Sequence, residues 1–131
     1  VGATKILVMP LPDISNLAPL DDERLRELKE QTPQDSSLFN RLYALFEIEG
    51  ATLIKDIVES LAVGDRSAVH EAVHKVKGSA AAMGASRIYA LVSASIDICR
   101  ADGDLGQLSG LPSILEIEYA SYLKDAKRFL D

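Results

Sequence analysis

The sequence has little of several features that would point to common classes of protein function. Its 131 residues include one cysteine, Cys99, so the chain cannot form an internal disulfide, a Cys₄ site or a Cys₂His₂ zinc site. Basic residues are in the minority, with 14 Lys and Arg against 20 Asp and Glu and a net charge of −6. Nucleic acid and direct membrane contact are therefore not expected, because an acidic surface repels phosphate groups. The apolar run from Ile6 to Met9 is too short for a signal-peptide core or a membrane span.

The composition is that of a single globular domain. Hydrophobic residues make up 47% and charged residues 26% of the chain, and this length typically forms one domain with its own core. The single cysteine fits a reducing compartment, and we expect a cytoplasmic location. The chain begins at Val1 rather than Met, and we expect a processed or excised piece of a longer protein.

Proline and helical periodicity divide the chain in two. Residues 1–19 carry three prolines and no helical period, which predicts an extended arm or linker. From residue 20 to residue 131 the pattern is helical. A short helix is expected after Leu20, with Asp21 or Asp22 as its cap, and it should stop before Pro33.

Four longer amphipathic helices are predicted after this short one. The first starts near Asp35 or Ser36 and ends at Gly64, the second runs from a cap at Asp65 to about residue 83, and the third is capped by Ser86. A loop over residues 106–112 precedes the last helix, which should start near residue 113. No alternating strand pattern follows the arm. The sequence therefore predicts an all-α fold, an antiparallel up-down four-helix bundle with a short extra N-terminal helix.

The apolar positions of these helices define a predicted core. In the first long helix they are Leu38, Leu42, Leu45, Phe46, Leu53, Ile57, Val58 and Leu61. In the third they are Ile88, Leu91, Val92, Ile96 and Cys99. In the last they are Ile114, Leu115, Ile117, Tyr119, Tyr122, Leu123, Ala126 and Leu130. Tyr43 and Tyr89 are interpreted as core or rim packing.

Both histidines of the chain lie on the second long helix, at His70 and His74. At 100° per residue, the core stripe of this helix consists of Val69, Val73, Val76, Ala80 and Met83. His70, His74, Lys77, Gly78 and Ala81 fall on a neighbouring flank that solvent can reach.

The flank carries the residue types needed to accept a phosphoryl group. Imidazole is a good nucleophile near neutral pH. Lys77, three residues after His74, can place an ammonium beside an anion held there. Gly78 costs the helix about 1 kcal/mol relative to alanine, and the missing side chain leaves room for a bulky partner to approach His74.

The segment His74-Lys-Val-Lys77-Gly78-Ser79, followed by Met83-Gly84-Ala85, resembles the signature of histidine-containing phosphotransfer (HPt) domains, and the resemblance extends over roughly residues 20–131. It implies a phosphorelay intermediate that takes a phosphoryl group from the aspartate of one receiver domain and passes it to another. It implies His74 as the acceptor, Lys77 as a phosphate counter-charge and Gly78 as the point of access. Ser79 matches the motif, with helix packing or a weak hydrogen bond as its role.

The resemblance also implies the partners and cofactors of the domain. Partners would be response-regulator receiver domains and a hybrid sensor kinase, of which this chain could be the C-terminal domain at the cytoplasmic side of a membrane. No kinase activity, cofactor or metal is expected on this domain, and Mg²⁺ is expected on the receiver. A monomer is expected.

One position departs from the family pattern. Many members place Gln or Glu on the following helix, where it hydrogen-bonds the acceptor imidazole. The aligned residue here is Ile96, with Ser95 and Asp97 beside it. A backbone group, a water molecule, Ser93 or Ser95 remain as candidates to orient His74.

Two other functions fit parts of the sequence. The segment His70-Glu71-Ala-Val-His74 matches the H-E-x-x-H pattern of zinc peptidases, but the chain has no third histidine. A second alternative is a helical module that docks receiver or kinase domains without being phosphorylated. For the docking surface itself, we expect the flank around His74, framed by the first two long helices and kept small by Ala81, Ala82 and Ala85.

Overall fold

The computed structural model describes residues 11–31 and 37–131, and all of its regular structure is helical. The α-helices are α1 (Asp22–Glu30), α2 (Leu38–Val63), α3 (Arg66–Ala82), α4 (Ser86–Arg100) and α5 (Leu111–Ala126). Short 3₁₀ helices cover Leu105–Leu108 and Lys127–Phe129. No strand occurs in these residues, which confirms the all-α prediction.

The four long helices form a closed bundle. Helix α3 packs against α2 on one side and α4 on the other, and α5 completes the ring by packing against α2 and α4. Two- and three-residue connections at residues 64–65 and 83–85 reverse the chain between α2, α3 and α4. The short α1 packs against this bundle, as predicted. Within the described ranges, no helix has both the length and the apolar character to cross a membrane.

Several predicted helix ends are confirmed by their capping geometry. The Asp21 carboxylate accepts a hydrogen bond from Arg24 N, and the Asp65 carboxylate accepts one from Ala68 N at 3.1 Å. Gly64 ends α2 in the left-handed region, with φ of 69°, where glycine has no steric penalty.

Other predicted helix ends are wrong by a few residues. Ala85, not Ser86, occupies the N-cap of α4, and Ser86 is the first helical residue. Helix α5 begins at Leu111 instead of near residue 113, because Pro112 is tolerated in a first turn whose N–H groups need no helical partner. Part of the predicted 106–112 loop is also helical. The predicted caps Asp35 and Ser36 lie outside the described residues.

The core contains most of the predicted apolar positions, but three are wrong. Leu45, Val58 and Ile117 are 55%, 48% and 66% exposed. Leu45 and Val58 adjoin the buried Phe46 and Ile57, and a neighbour in a helix points about 100° away. They therefore face solvent. Cys99 is buried, as predicted, and burial raises the pKa of its thiol.

The predicted arm lies partly outside the described residues, which begin at residue 11. In the described part, the Arg87 guanidinium donates a hydrogen bond to the Leu17 carbonyl at 2.6 Å. Leu11 and Ile14 pack against the core, and Leu20 is buried. The division between arm and bundle at residues 19 and 20 stays a prediction.

The turn between α3 and α4 is held from two sides. Tyr122 Oη of α5 donates to the Met83 carbonyl at 2.6 Å. Asp21 N, at the start of α1, donates to the Gly84 carbonyl at 2.8 Å. Gly84 has φ of 64°, and a Cβ there would lie 3.1 Å from Arg24 Cβ. Glycine is therefore required both by the backbone conformation and by the close approach of α1.

Gly50 allows the Tyr119 ring to pack against α2, and we expect Gly50→Ala to destabilise the protein by about 1–3 kcal/mol. A Cβ at this position would lie 2.5 Å from the ring of Tyr119, which is itself buried against Phe46. The overlap outweighs the gain of about 1 kcal/mol in helix propensity. Urea unfolding measures the change. Gly78→Ala is the matched control, since a Cβ there meets nothing within 4 Å, and it should stabilise. Equal stabilisation by both changes would contradict the packing argument.

Tyr122→Phe should lower the free energy of unfolding by about 1–3 kcal/mol. The substitution removes the hydroxyl that donates a hydrogen bond to the buried Met83 carbonyl. Tyr43→Phe is the control. Its hydroxyl donates to the Leu123 carbonyl at 2.8 Å in a partly buried position, where water can replace it, so a smaller loss is expected.

A pH series provides a second measurement of the same site. Burial raises the pKa of Tyr122 above its ordinary value of 10. The unfolded chain therefore ionises first, and the contribution of this phenol to stability is lost as the pH rises above about 10. The wild type should lose more stability than Tyr122→Phe in that range. If stability falls equally with pH in both proteins, the ionisation of Tyr122 is not the cause of the loss.

Candidate functional site

Helix α3 presents two chemically different sides because of its sequence pattern. Its predicted core stripe is confirmed. Val69, Val73, Val76 and Ala80 are fully buried, and Met83 is 4% exposed. With that side facing the other helices, the flank that carries the histidines is directed outward.

His74 is exposed on this flank, whereas His70 is half-buried. The two rings stack nearly parallel, with centroids 6.2 Å apart and an interplanar angle of 12°. His70 Nε2 is shielded from solvent and has no hydrogen-bond partner among the described residues. The structure therefore offers the His74 imidazole to a reaction partner and keeps one nitrogen of His70 out of reach.

Lys77 lies on the same flank, at its border with α4. Its Nζ sits 5.5 Å from the centroid of the Tyr89 ring, a cation–π distance. This contact holds the ammonium one helical turn from His74. The α3 pattern alone did not point to Tyr89 as its neighbour. The sequence did contain one indication. Tyr89 lies in the first turn of α4, directly after a tight turn, and this position brings Tyr89 back against the end of α3.

Gly78 and Ser79 differ in their surroundings. Gly78 is exposed, and a Cβ added there would meet nothing within 4 Å, so no contact within the described residues requires glycine. The Ser79 hydroxyl donates to the Val76 carbonyl at 3.1 Å, a contact within the helix. Burial raises the pKa of Tyr119, the Glu49 charge raises it further, and the nearby Ser79 hydroxyl lowers it. Ser79 is half-buried and lies close to the buried Tyr119.

The structure narrows the candidates for orienting His74. Ile96 is 2% exposed, and Ser95 is fully buried with its hydroxyl donating to the Leu91 carbonyl at 2.8 Å. Ser95 is therefore removed from the candidates. The Ser93 hydroxyl is shielded and has no hydrogen-bond partner in the described part of the chain. Ser93 lies one turn after Tyr89, on the face of α4 that meets α3.

The helix that borders the histidine flank is not the one expected from the sequence. His70 shares a cavity with Cys99 and Arg100 of α4, and Lys77 contacts Tyr89, so the flank is framed by α3 and α4 instead of by α2 and α3. Ala81 and Ala82 are exposed, as a docking surface requires, but Ala85 is fully buried. Ala85 packs in the core because the turn at residues 83–85 directs it inward.

Two depressions lie along the border of α3 and α4. Toward the turn is an open groove of about 450 Å³, lined mainly by small side chains and closed at one end by α1. Ala81, Gly84 and Tyr89 belong to its lining. Toward the other end of the helices is the cavity that contains His70, which has a volume of about 430 Å³. His70 lines the second depression, and His74 lies along α3 between the two.

Two charged side chains of α3, Lys75 and Glu71, lie away from the histidine flank. They form an exposed ion pair at 3.4 Å on the side facing α2. Across residues 11–31 and 37–131, no group of three or more His, Cys, Asp or Glu side chains is arranged to hold a metal ion. The H-E-x-x-H match therefore has no third ligand in that part of the structure.

Comparison with known families agrees with the geometry of this flank. The family model for the Hpt domain matches residues 41–128, about two thirds of the chain, and this range contains all of α3, α4 and α5. No curated protein and no solved structure gives a significant match. Hpt domains are phosphotransfer modules of two-component signalling and have no kinase activity of their own. The match over most of the bundle, together with the exposed histidine on α3, shows that this chain belongs to the Hpt domain family.

Proposed function

We propose that the domain accepts a phosphoryl group on His74 from the aspartate of one receiver domain and passes it to the aspartate of another. An unprotonated imidazole nitrogen of His74 attacks phosphorus, the N–P bond forms as the acyl O–P bond breaks, and the aspartate leaves as a carboxylate. The reverse sequence of bonds, on a second receiver, regenerates the free imidazole. Each transfer conserves the phosphoryl group and consumes no nucleotide.

The exposure of His74 is the observation that carries this proposal. A phosphoryl donor held in another protein must approach the attacking nitrogen in line, which only an accessible side chain permits. His74 meets this requirement, while Nε2 of the other histidine, His70, is shielded. The contrast favours His74 over His70 as the acceptor.

The neighbours of His74 support the same role. The open space above Gly78 lets a partner approach without collision with this helix. The Lys77 ammonium, held near Tyr89, is close enough along the helix to offset the charge of a phosphorylated His74. Ser79, whose hydroxyl bonds within α3, supports helix packing in this proposal.

The partners follow from the chemistry. Receiver domains, and a hybrid sensor kinase that supplies the phosphoryl group, would dock over the border of α3 and α4, with the small-residue groove accommodating part of the partner. The metal would be Mg²⁺ bound by the receiver, which stabilises charge in the transferring group. This domain would act as a cytoplasmic monomer without a cofactor, forming a modest interface because a relay must release its partner.

The first test of the proposal compares the two histidines. A receiver domain phosphorylated with radiolabelled acetyl phosphate is mixed with the wild type, His74→Gln and His70→Gln. Label should move to the wild type and to His70→Gln but not to His74→Gln, and it should be acid-labile and base-stable, as expected for phosphohistidine.

Two results would contradict the assignment. Label on His74→Gln at the wild-type level would show that another residue accepts the phosphoryl group. Binding of several phosphorylated receivers without any transfer of label would instead favour a docking module that is never phosphorylated. Thermal unfolding of both variants controls for folding, and each should unfold near the wild-type temperature because neither His74 nor Nε2 of His70 makes a hydrogen bond in the described structure.

Gly78 gives a test of access that separates stability from docking. Gly78→Ala should stabilise the domain by up to about 1 kcal/mol and retain transfer. Gly78→Gln should also fold, since the site is open, but its long side chain should slow transfer from the receiver strongly. Transfer to Gly78→Gln at the wild-type rate would show that space at this position is not needed.

A further inference from the structure

An open cavity with a basic lining lies at one end of the border between α3 and α4. Its lining consists of Arg66, Ser67, His70, Cys99 and Arg100, and its volume is about 430 Å³. We call it the basic cavity. It is formed by the first turns of α3 and the last turn of α4, which the bundle brings side by side.

The two arginines of the basic cavity are held differently. The Arg66 guanidinium donates to the carbonyls of Cys99, at 3.3 Å, and Gly103, at 2.6 Å, which fixes its position beneath the end of α4. Arg100 is exposed in the last turn of α4 and forms no hydrogen bond or ion pair within the described residues. A fixed and a free guanidinium therefore line the same cavity.

The basic cavity is one side chain away from the proposed acceptor. His70 lines the cavity, and its ring stacks on that of His74 with centroids 6.2 Å apart. A partner placed over His74 would thus extend across the opening of the cavity, since even a small protein interface is several side chains wide.

The charge of this region is opposite to that of the whole chain. The chain carries a net charge of −6, yet Arg66, Arg100 and Lys77 all lie along the border of α3 and α4. The carboxylates nearest in sequence are Asp65, which caps α3, and Asp97 and Asp102, neither of which forms an ion pair with Arg100 in the described structure. The border is therefore a basic strip on an acidic protein.

A phosphorylated receiver has the complementary charge for a chemical reason. Mg²⁺ is held by carboxylate oxygens, so the face around the phosphorylated aspartate is rich in acidic groups. An acidic protein that approaches another acidic protein is repelled at long range unless local charges are complementary. The basic strip supplies such complementarity at the place where transfer would occur.

We propose that the basic cavity receives a carboxylate side chain of the receiver domain docked on His74, and that Arg100 thereby selects receivers with an acidic residue beside their phosphorylated aspartate. This inference rests on the proposed phosphotransfer at His74. A guanidinium can bind a carboxylate through two parallel hydrogen bonds, and the free Arg100 has these donors available. The residue thus determines partner choice and takes no part in the bond exchange.

The test reverses the charge at Arg100 and, separately, at a matched position. Lys124 is also exposed and also lies in the last turn of its helix, α5, so Lys124→Glu and Arg100→Glu change the net charge and the helix-end charge equally. The probe is the purified receiver domain, phosphorylated with acetyl phosphate and Mg²⁺, that transfers fastest to the wild type. Transfer rate constants are measured at about 0.05 M and about 0.5 M salt.

Arg100→Glu should slow transfer about tenfold at low salt, and the difference should shrink at high salt, whereas Lys124→Glu should change it by less than about twofold. Equal rates for the two variants, whether both near wild type or both reduced, would overturn the inference, because the local charge of the cavity would then have no separate effect. Similar unfolding temperatures of the two variants ensure that folding does not account for the difference.

Direct loading with phosphoramidate separates this inference from the proposed function. Phosphoramidate phosphorylates an accessible imidazole without a receiver, so all three proteins should load His74 equally. Equal loading combined with equal transfer from the receiver overturns only the role of Arg100. Failure of the wild type to load from phosphoramidate and from every receiver would overturn phosphotransfer at His74, and the inference with it.

Discussion

The burial of one stripe of small β-branched and alanine side chains on α3 determines the rest of the site. Val69, Val73, Val76 and Ala80 have no exposed surface, so the rotation of α3 about its axis is fixed by the hydrophobic effect. Any other rotation would expose these residues and bury charged ones. Because a helix has a fixed angle per residue, the same constraint sets His74 outward and places His70 at the border with α4.

The tight turn after α3 places α4 beside the histidine flank, so the surface around His74 is formed by two helices. Tyr122 and Asp21 donate hydrogen bonds to the carbonyls of Met83 and Gly84. The left-handed backbone conformation of Gly84 lets the chain reverse direction within three residues. Helix α4 therefore returns directly along the histidine flank. The contact of Lys77 with Tyr89 and the cavity shared by His70 and Arg100 are consequences of that return.

The sequence predicts the features that depend on a single helix. It does not predict the features that depend on how two helices pack against each other. The α3 stripe, the outward histidine and the caps at Asp21 and Asp65 all follow from local periodicity and local hydrogen bonds, and all are observed. Leu45 and Ile117 were assigned to the core wrongly because an apolar residue at a plausible spacing is buried only if another helix covers it. The expectation that α2 borders the histidine flank was wrong for the same reason. The periodicity of one helix does not show which neighbouring helix, α2 or α4, lies beside it.

The border of α3 and α4 contains polar groups that the described residues leave without hydrogen bonds. Two shielded polar atoms there, His70 Nε2 and Ser93 Oγ, have no hydrogen-bond partner in the described structure. A buried polar group without a partner destabilises the state in which it is found. Both atoms are shielded from solvent, so a partner docked on the surface at His74 could bond to them only if α3 and α4 moved apart, and this cost belongs to the folded domain itself.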